Sequence, residues 1–219
     1  IYFDSAETEQ KFAGGKGFST QIYPGDNLLY LGINCRDGLL QSAKFRAFLN
    51  QVTAREKLVQ GVLLGQAEAA IYPYQPNWYK AEQSVNGSAL SDSEKADAIK
   101  ELGLTMEENA LLDEEGEPLS FCLLACEENE LHTSAAQAVA EGLKIAGIAI
   151  EIEAVPRVKY QARLAAGEFD LYLGEMKTGR TLNTALYAAE SNVNFSGTVF
   201  ESLQQAAADY KSGNLLLSD

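Results

Sequence analysis

The chain has 219 residues, of which 46% are hydrophobic and 22% charged, and a formal net charge of −14. This is globular composition, long enough for one sizeable core or two small ones and for burial of about 70–75% of the unfolded surface. The acidic balance argues against nucleic acid and anionic lipid, which both need a basic footprint, and no run of about 18 apolar residues is present to span a membrane.

Residues 1–27 are rich in Gly, Lys, Ser and Thr and include Gly14-Gly15-Lys16-Gly17. A phosphate-cradling loop needs G-x-x-x-x-G-K-[ST] between strand and helix, so this stretch reads as an ordinary loop. The opening Ile1-Tyr2-Phe3, without an initiator Met, reads as an excised piece of a longer chain. Leu28 to Asn34 is a strand candidate. Ser42 to Gln51 reads as a helix with Phe45, Phe48, Leu49 and Val52 on one stripe. Thr53-Ala54-Arg55-Glu56 has the form of a capping box, opening a further helix that ends near Gly65. The stretch "IYPYQPNWY" carries Tyr72, Tyr74, Trp78 and Tyr79. These are either a stacking wall for a ligand or a proline-stiffened loop packed on the domain; Trp78 is kept as a candidate ligand contact. Ser91-Asp92-Ser93-Glu94 caps a helix through Leu102, ended by Gly103. Residues 105–117 hold six carboxylates without the alternation of a calcium loop, and read as a solvated hairpin or loop.

The centre of the chain is a strand–helix–strand–helix–strand series. Leu119 to Cys126 is a nearly continuous apolar run, the pattern of a strand buried on both faces. Ser134 to Ala146 reads as a helix with Val139, Leu143 and Ala146 on one face, stopped by Gly147. Ile148 to Glu153 alternates as a strand. Arg157 to Ala166 reads as a helix whose buried stripe is Val158, Ala162 and Ala165, ended by Gly167. Phe169 to Gly174 supplies a third strand. Short links of this kind require parallel neighbours and right-handed crossovers. The fold class is therefore α/β with a βαβαβ core and additional helices, and ligands are expected beyond the carboxyl ends of the strands. Thr181 to Ala189 is a helix candidate, 192–197 a loop, and Thr198 to Tyr210 a helix.

His132 is the one histidine, so a histidine-based triad or a zinc constellation has little to draw on. No G-x-S-x-G, H-E-x-x-H or strand-following G-x-G-x-x-G occurs. No catalytic residue, metal or cofactor is read. His132 is placed in a polar, exposed loop after the first core strand, within reach of a ligand. Cys122 and Cys126 would stand about 13 Å apart in a strand, too far for a disulfide, and all three cysteines read as small buried hydrophobes. The loop after the third strand, Glu175-Met176-Lys177-Thr178-Gly179-Arg180, completes the candidate site. With His132 and residues 127–129 it should line an exposed face rather than a closed pocket.

"AVAEGLKIAGIAIEIEAVPRVKYQARLAAGEFDLYLGE" resembles the C-terminal lobe of bacterial extracellular solute-binding proteins of family 5, the oligopeptide-, dipeptide- and nickel-binding group of ABC importers. The matching marks are Leu143…Gly147-Ile148, Tyr160…Leu164 and Gly167-Glu168-Phe169-Asp170. "KFRAFLNQVTAREKLVQGVLLGQAEAA" is similar to a further family segment, with Arg46, Arg55 and Gly65 on its marked positions, and Phe200-Glu201-Ser202-Leu203 fits the family's "F-D-x-L". The resemblance implies one lobe of a periplasmic-binding-protein-like type II fold. Residues 1–219 would be a single lobe, with 28–118 its helical and strand first part and 119–210 the βαβαβ core and C-terminal helices. It implies no enzyme but the substrate-binding component of an ABC importer: a monomeric, extracellular or periplasmic lipoprotein, anchored through a segment outside this sequence. It would capture a small, peptide-like solute between two lobes and deliver it to a membrane permease. The alternative is a ligand-sensing domain of a regulatory protein built on the same lobe. In peptide-binding relatives the 175–180 loop has an aromatic and then an Asp that receives the peptide's amine; here those places fall near Met176 and near Thr178 or Gly179. Either Glu175 supplies the negative charge, or Lys177 and Arg180 signal an anionic ligand group.

Overall fold

The computed structural model describes residues 25–70, 90–178, 194–198 and 201–214. Trp78, Arg180 and the expected 181–189 helix lie outside them. In chain order the elements are β1 (Asn27–Ile33), a 3-10 turn (Leu39–Gln41), α1 (Ala43–Val52), α2 (Arg55–Gly61), α3 (Asp92–Glu101), β2 (Thr105–Glu107), β3 (Ala110–Leu112), β4 (Ser120–Cys126), α4 (Glu130–Ile145), β5 (Ala149–Val155), α5 (Arg157–Ala166), β6 (Leu171–Lys177) and α6 (Glu201–Ser212). Among them, no helix is long and apolar enough to cross a membrane.

β4 is continuously apolar because it is covered on both sides. It lies in the middle of a four-stranded sheet of order β1-β6-β4-β5, parallel to both β5 and β6. The expected parallel core is therefore present. Alternate side chains go to opposite layers. Leu123 and Ala125, with Leu171 and Leu173 of β6, pack under Ala135, Ala136, Val139 and Leu143 of α4 and under Phe45, Phe48 and Leu49 of α1. Leu124, Cys126 and Tyr172 face the other way, against Tyr160 and Leu164 of α5, with Val155 and Phe169 completing that layer.

β1 is the element whose place the local sequence does not announce. It runs antiparallel along the free side of β6, with Asn27 opposite Lys177 and Ile33 opposite Leu171. Two tyrosine–glycine pairs lock this register: Tyr30 stands opposite Gly174, and Gly32 opposite Tyr172. Each ring lies on the partner's missing side chain. A Cβ on Gly32 would sit 2.0 Å from the Tyr172 ring, and one on Gly174 would sit 2.3 Å from that of Tyr30. The rings meet edge to face with centroids 5.9 Å apart, and Tyr172 also contacts Phe169 at 5.0 Å and Phe195 at 5.8 Å.

Several expectations are corrected. Thr53 does not open a capping box: its hydroxyl donates to the Leu49 carbonyl (2.7 Å), closing α1, while α2 begins after Ala54 with no side-chain cap and ends at Gly61 rather than near Gly65. A threonine hydroxyl has two backbone targets within reach, and here the preceding helix takes it. The buried stripe of α5 is Tyr160 and Leu164; Val158 is 81% exposed, with Ala162 and Ala165 also at the surface. Tyr160 outcompetes the smaller residues because it brings far more apolar area to the layer. The third core strand ends at Lys177, not Gly174, so Glu175, Met176 and Lys177 are strand and not loop; β1 supplies the hydrogen-bond partners that extend it. Helix α4 begins at Glu130, four residues early, because Asn129 caps it.

Other expectations stand. Ser91 and Glu94 form a reciprocal capping box on α3. The acidic 105–117 stretch is a solvated hairpin, with Glu108 and Asn109 at positive φ in its two-residue turn. All three cysteines are free; Cys35 and Cys126 are buried and Cys122 half-buried. Arg46 and Arg55, marked by the resemblance, fasten backbone: Arg46 donates to the carbonyls of Leu40 and Gln41, Arg55 to that of Asn50.

Gly32→Ala should destabilise the fold by about 1–3 kcal/mol, since the Tyr172 ring is enclosed and cannot retreat. Gly61→Ala, at the end of α2 with nothing near its added methyl, should be neutral or stabilising by up to about 1 kcal/mol. Denaturant melts of the two variants check the contrast.

Candidate functional site

The parallel strands β4, β5 and β6 all end at one pole, where α4 and α5 begin. Leu124 is level with Tyr172, so β4 stops at Cys126 about level with Gly174. Glu175, Met176 and Lys177 overhang that end, paired among the described residues only with Leu29, Leu28 and Asn27 of β1. Thr178 closes the overhang, its N–H and hydroxyl both donating to the Asp26 carbonyl (2.8 and 3.1 Å).

Because odd residues of β6 face the α4 layer, Glu175 points at the start of that helix. Asn129 joins the two. Its Oδ1 accepts from the N–H groups of Leu131 (3.0 Å) and His132 (3.2 Å), while its Nδ2 donates to Glu175 Oε1 (2.9 Å). His132, in the first turn of α4, is 5% exposed. The expected exposed loop histidine is thus a buried helical one, drawn in by the Asn129 cap that starts the helix before it. Its Nε2 is 3.4 Å from the same Glu175 oxygen, within ion-pair reach but out of line for a hydrogen bond, and neither ring nitrogen has a hydrogen-bond partner among the described residues. The imidazole lies edge-on to Tyr160, centroids 5.9 Å apart. Tyr160 in turn donates its hydroxyl to the Leu173 carbonyl.

Burial, reinforced by Arg157, holds the His132 pKa below that of a free imidazole, and Glu175 opposes the shift only in part. His132 is therefore neutral at neutral pH. Burial also pushes the Tyr160 phenol upward, so it stays protonated.

The second helix start at this pole is also filled from within. The Glu128 carboxylate accepts from the Arg157 N–H (2.8 Å) and from the Cys126 thiol (3.4 Å), capping α5. Backbone hydrogen bonds, first its own, keep this carboxyl below the ordinary range. Of these two helix starts, ready anion sites in principle, that of α4 is capped by Asn129, while at α5 Glu128 takes the Arg157 N–H. What faces solvent is Glu127, Glu128, Glu130 and Glu175 against Arg157 and Lys177.

Of the expected site residues, the structure brings His132 and Glu175 into contact and leaves Lys177 exposed on the same overhang. Met176 points to the opposite layer by strand alternation, and Thr178 is spent on Asp26. Trp78 and Arg180 lie outside the described residues. Asn129, Glu128 and Tyr160 organise the site and were not among the expected ones. Asn129-Glu130 before the apolar periodicity of α4 is a helix-start signal that would have found the first of them.

Neither His132 nor Cys122 is set up as a base or nucleophile by its described neighbours. His132 has no hydrogen-bonded hydroxyl or thiol to activate. The Cys122 thiol is pushed up to about 11, chiefly by burial and then by Glu153, and so is a poor nucleophile. Among the described residues no group of three or more His, Cys, Asp or Glu is placed to hold a metal ion.

Residues 1–192 match the model of the family described as bacterial extracellular solute-binding proteins, family 5 middle. The chain is 28% identical over 130 residues to the oligopeptide-binding protein AppA of Bacillus subtilis (strain 168), which covers 58% of this chain and 24% of that protein. The nickel ABC transporter structure from Bacillus halodurans superposes with TM-score 0.78 at 20% identity, over 98% of this chain and 46% of that one. A periplasmic oligopeptide-binding protein of Thermotoga maritima gives TM-score 0.79 at 18% identity, over 98% and 44%. NikA of Brucella suis, solved with Fe(III)-EDTA, gives 0.73 at 18%, over 95% and 41%. At such identities the structures establish the α/β fold, and the chain spans less than half the length of each of these relatives.

Two outcomes are expected at this site. Asn129→Ala should cost about 1 kcal/mol, the usual loss of an Asn cap, and should free the Glu175 side chain; thermal unfolding and the Glu175 carboxyl NMR signal measure the two effects. The depressed His132 pKa means that the unfolded chain takes up a proton more readily than the folded one. Its stabilising contribution is therefore full above the unfolded value, about pH 6.5, and is lost as pH falls through the folded one. The melting temperature should drop between about pH 7.5 and about pH 5.5 in the wild type and much less in His132→Phe; equal slopes would contradict the assignment.

Proposed function

The chain belongs to the bacterial extracellular solute-binding proteins of family 5, and from that premise we propose that it forms one lobe of the substrate-binding component of an ABC importer. In this reading the lobe is one wall of a two-lobe trap that closes on a small solute and hands it to a membrane permease. The protein works outside the cytoplasm as a monomer, held at the membrane by a segment beyond this sequence. The family is one of binding proteins, and the role proposed is binding.

The observation that carries the proposal is the strand-end pole itself. Its polar groups are presented on an open surface, around the overhanging end of β6, where parallel α/β sheets bind ligands. An open wall of this sort needs a second surface to enclose a solute. A peptide-like solute is the leading ligand: AppA is named for oligopeptides and one of its structures holds a nonapeptide. Structures of similar fold hold other things, among them Ni(L-His), mannohexaose and stachyose, so the fold does not by itself set the ligand. Glu175 and Lys177 are the proposed contacts, the first for a donor or cationic group of the solute and the second for an anionic one, with Met176, Thr178, Arg180, His132 and Trp78 as the remaining candidates.

Calorimetry of this chain and of the full-length protein tests the proposal, with a panel of short peptides, oligosaccharides and a nickel–histidine chelate. The full-length protein should bind a peptide of the panel, and the isolated chain should bind the same peptide on the order of a thousandfold more weakly. One wall leaves the solute half hydrated while the entropy of association is still lost. Equal affinities would refute the two-lobe reading, and binding of the chelate or sugar in place of peptides would replace the ligand class.

A further inference from the structure

Among the described residues, the imidazole of His132 is the one buried side chain whose polar atoms have no hydrogen-bond partner. It is 5% exposed, both ring nitrogens are enclosed, and neither is hydrogen-bonded among the described residues. Buried polar atoms are normally satisfied, and an exception calls for a reason. The groups that face it are Glu175 from β6, Tyr160 and Arg157 from α5, and Asn129 from the start of its own helix. Three of these have other roles or the wrong charge. Tyr160 gives its hydroxyl proton to Leu173, Asn129 is committed to the cap and to Glu175, and Arg157 is a cation. Glu175 Oε1, 3.4 Å from Nε2, is the acceptor in place.

We infer that His132 and Glu175 form a proton-operated latch between the first turn of α4 and the overhanging end of β6. When the imidazole is neutral, Glu175 is held by Asn129 and keeps its negative charge toward the open pole. When the imidazole takes a proton from water, Nε2–H and the carboxylate become an ion pair with a charge-assisted hydrogen bond. A turn of the ring or carboxylate that brings Nε2–H into line, with a contraction of a few tenths of an ångström, reaches that geometry. Residues 175–177, which have no partner strand on the β4 side beyond Cys126, are thereby tied to the α4 side of the sheet. Acid thus does two things at once: it cancels the Glu175 charge at the pole and fixes the end of the strand. The latch stands on contacts within this chain and does not depend on the solute-binding reading.

Because His132 is the one histidine among 219 residues, its ring resonances report the latch without ambiguity. An NMR pH titration of the chain should give a His132 midpoint that falls by about half a pH unit or more in Glu175→Gln, since an attracting charge has been removed. Glu175→Asp, which keeps the charge but withdraws it by one methylene, should give an intermediate midpoint and serves if the Gln variant does not fold. In the wild type the Glu175 carboxyl carbon should show an inflection at the His132 midpoint. Amide-exchange protection of residues 175–177, taken relative to residues 171–173 so that global stability cancels, should rise several-fold on the acid side. The rise should vanish in Glu175→Gln. An unchanged His132 midpoint in both variants, or relative protection that falls on acidification, would overturn the latch.

Discussion

The pole at which this chain meets its surroundings depends on a strand that runs against the rest of the sheet. β4, β5 and β6 would make a parallel layer without β1, but β6 would then have no hydrogen-bond partner past Gly174. Unpaired backbone groups there would turn to water and the strand would end, as the sequence pattern by itself suggests. The antiparallel partner carries β6 three residues further and so places Glu175 over the start of α4. The register of that pairing is set by bulk: two tyrosine rings fill the space above two glycines, and a slip of one residue would set each ring against a side chain instead.

The same pole is notable for satisfying itself. Two helix starts converge on it, a geometry that commonly draws phosphate or carboxylate ligands. Here Asn129 already accepts the Leu131 and His132 N–H groups of α4, and Glu128 that of Arg157 at the start of α5. An anionic ligand group would have to displace these acceptors or find Arg157 or Lys177 among four carboxylates. Structures of similar fold hold a nonapeptide, a nickel–histidine chelate and stachyose, so the scaffold leaves the ligand to local side chains.

The βαβαβ series was legible because its signals are local. An apolar run, an alternation and two helices closed by glycine place the parallel core within a few residues. The α3 capping box was legible for the same reason: no preceding helix competes for Ser91 among the described residues. Thr53 looked equivalent and was not, because the end of α1 lies as close to its hydroxyl as the start of α2 does. The stripe on α5 was misread because periodicity counts residues and burial weighs them; Tyr160 and Leu164 outweigh Val158, Ala162 and Ala165. His132 was placed on a loop because the cap that makes it helical, Asn129, was not taken as a helix start. The β1–β6 pairing left no local trace, since neither strand's sequence names its partner, and the overhang at Glu175 went unseen with it. At the candidate site the sequence thus singled out His132 and Glu175, without the geometry that joins them.

The antiparallel pair also sets a timetable. The two strands lie about 140 residues apart in the chain, so during synthesis β1 emerges long before β6 exists. At about 5–20 residues per second it waits roughly ten to thirty seconds. Through that interval Leu28, Leu29, Tyr30, Leu31 and Ile33 form an unpaired apolar ribbon, the kind of edge that invites association with other chains. The strand–helix steps from β4 to β6 can assemble from near neighbours as they appear, while the final strand of the sheet to be seated is the first one made. In such a chain the residues of α1, made just after β1, are the first that can cover its apolar side, as Phe45, Phe48 and Leu49 help to do in the folded state.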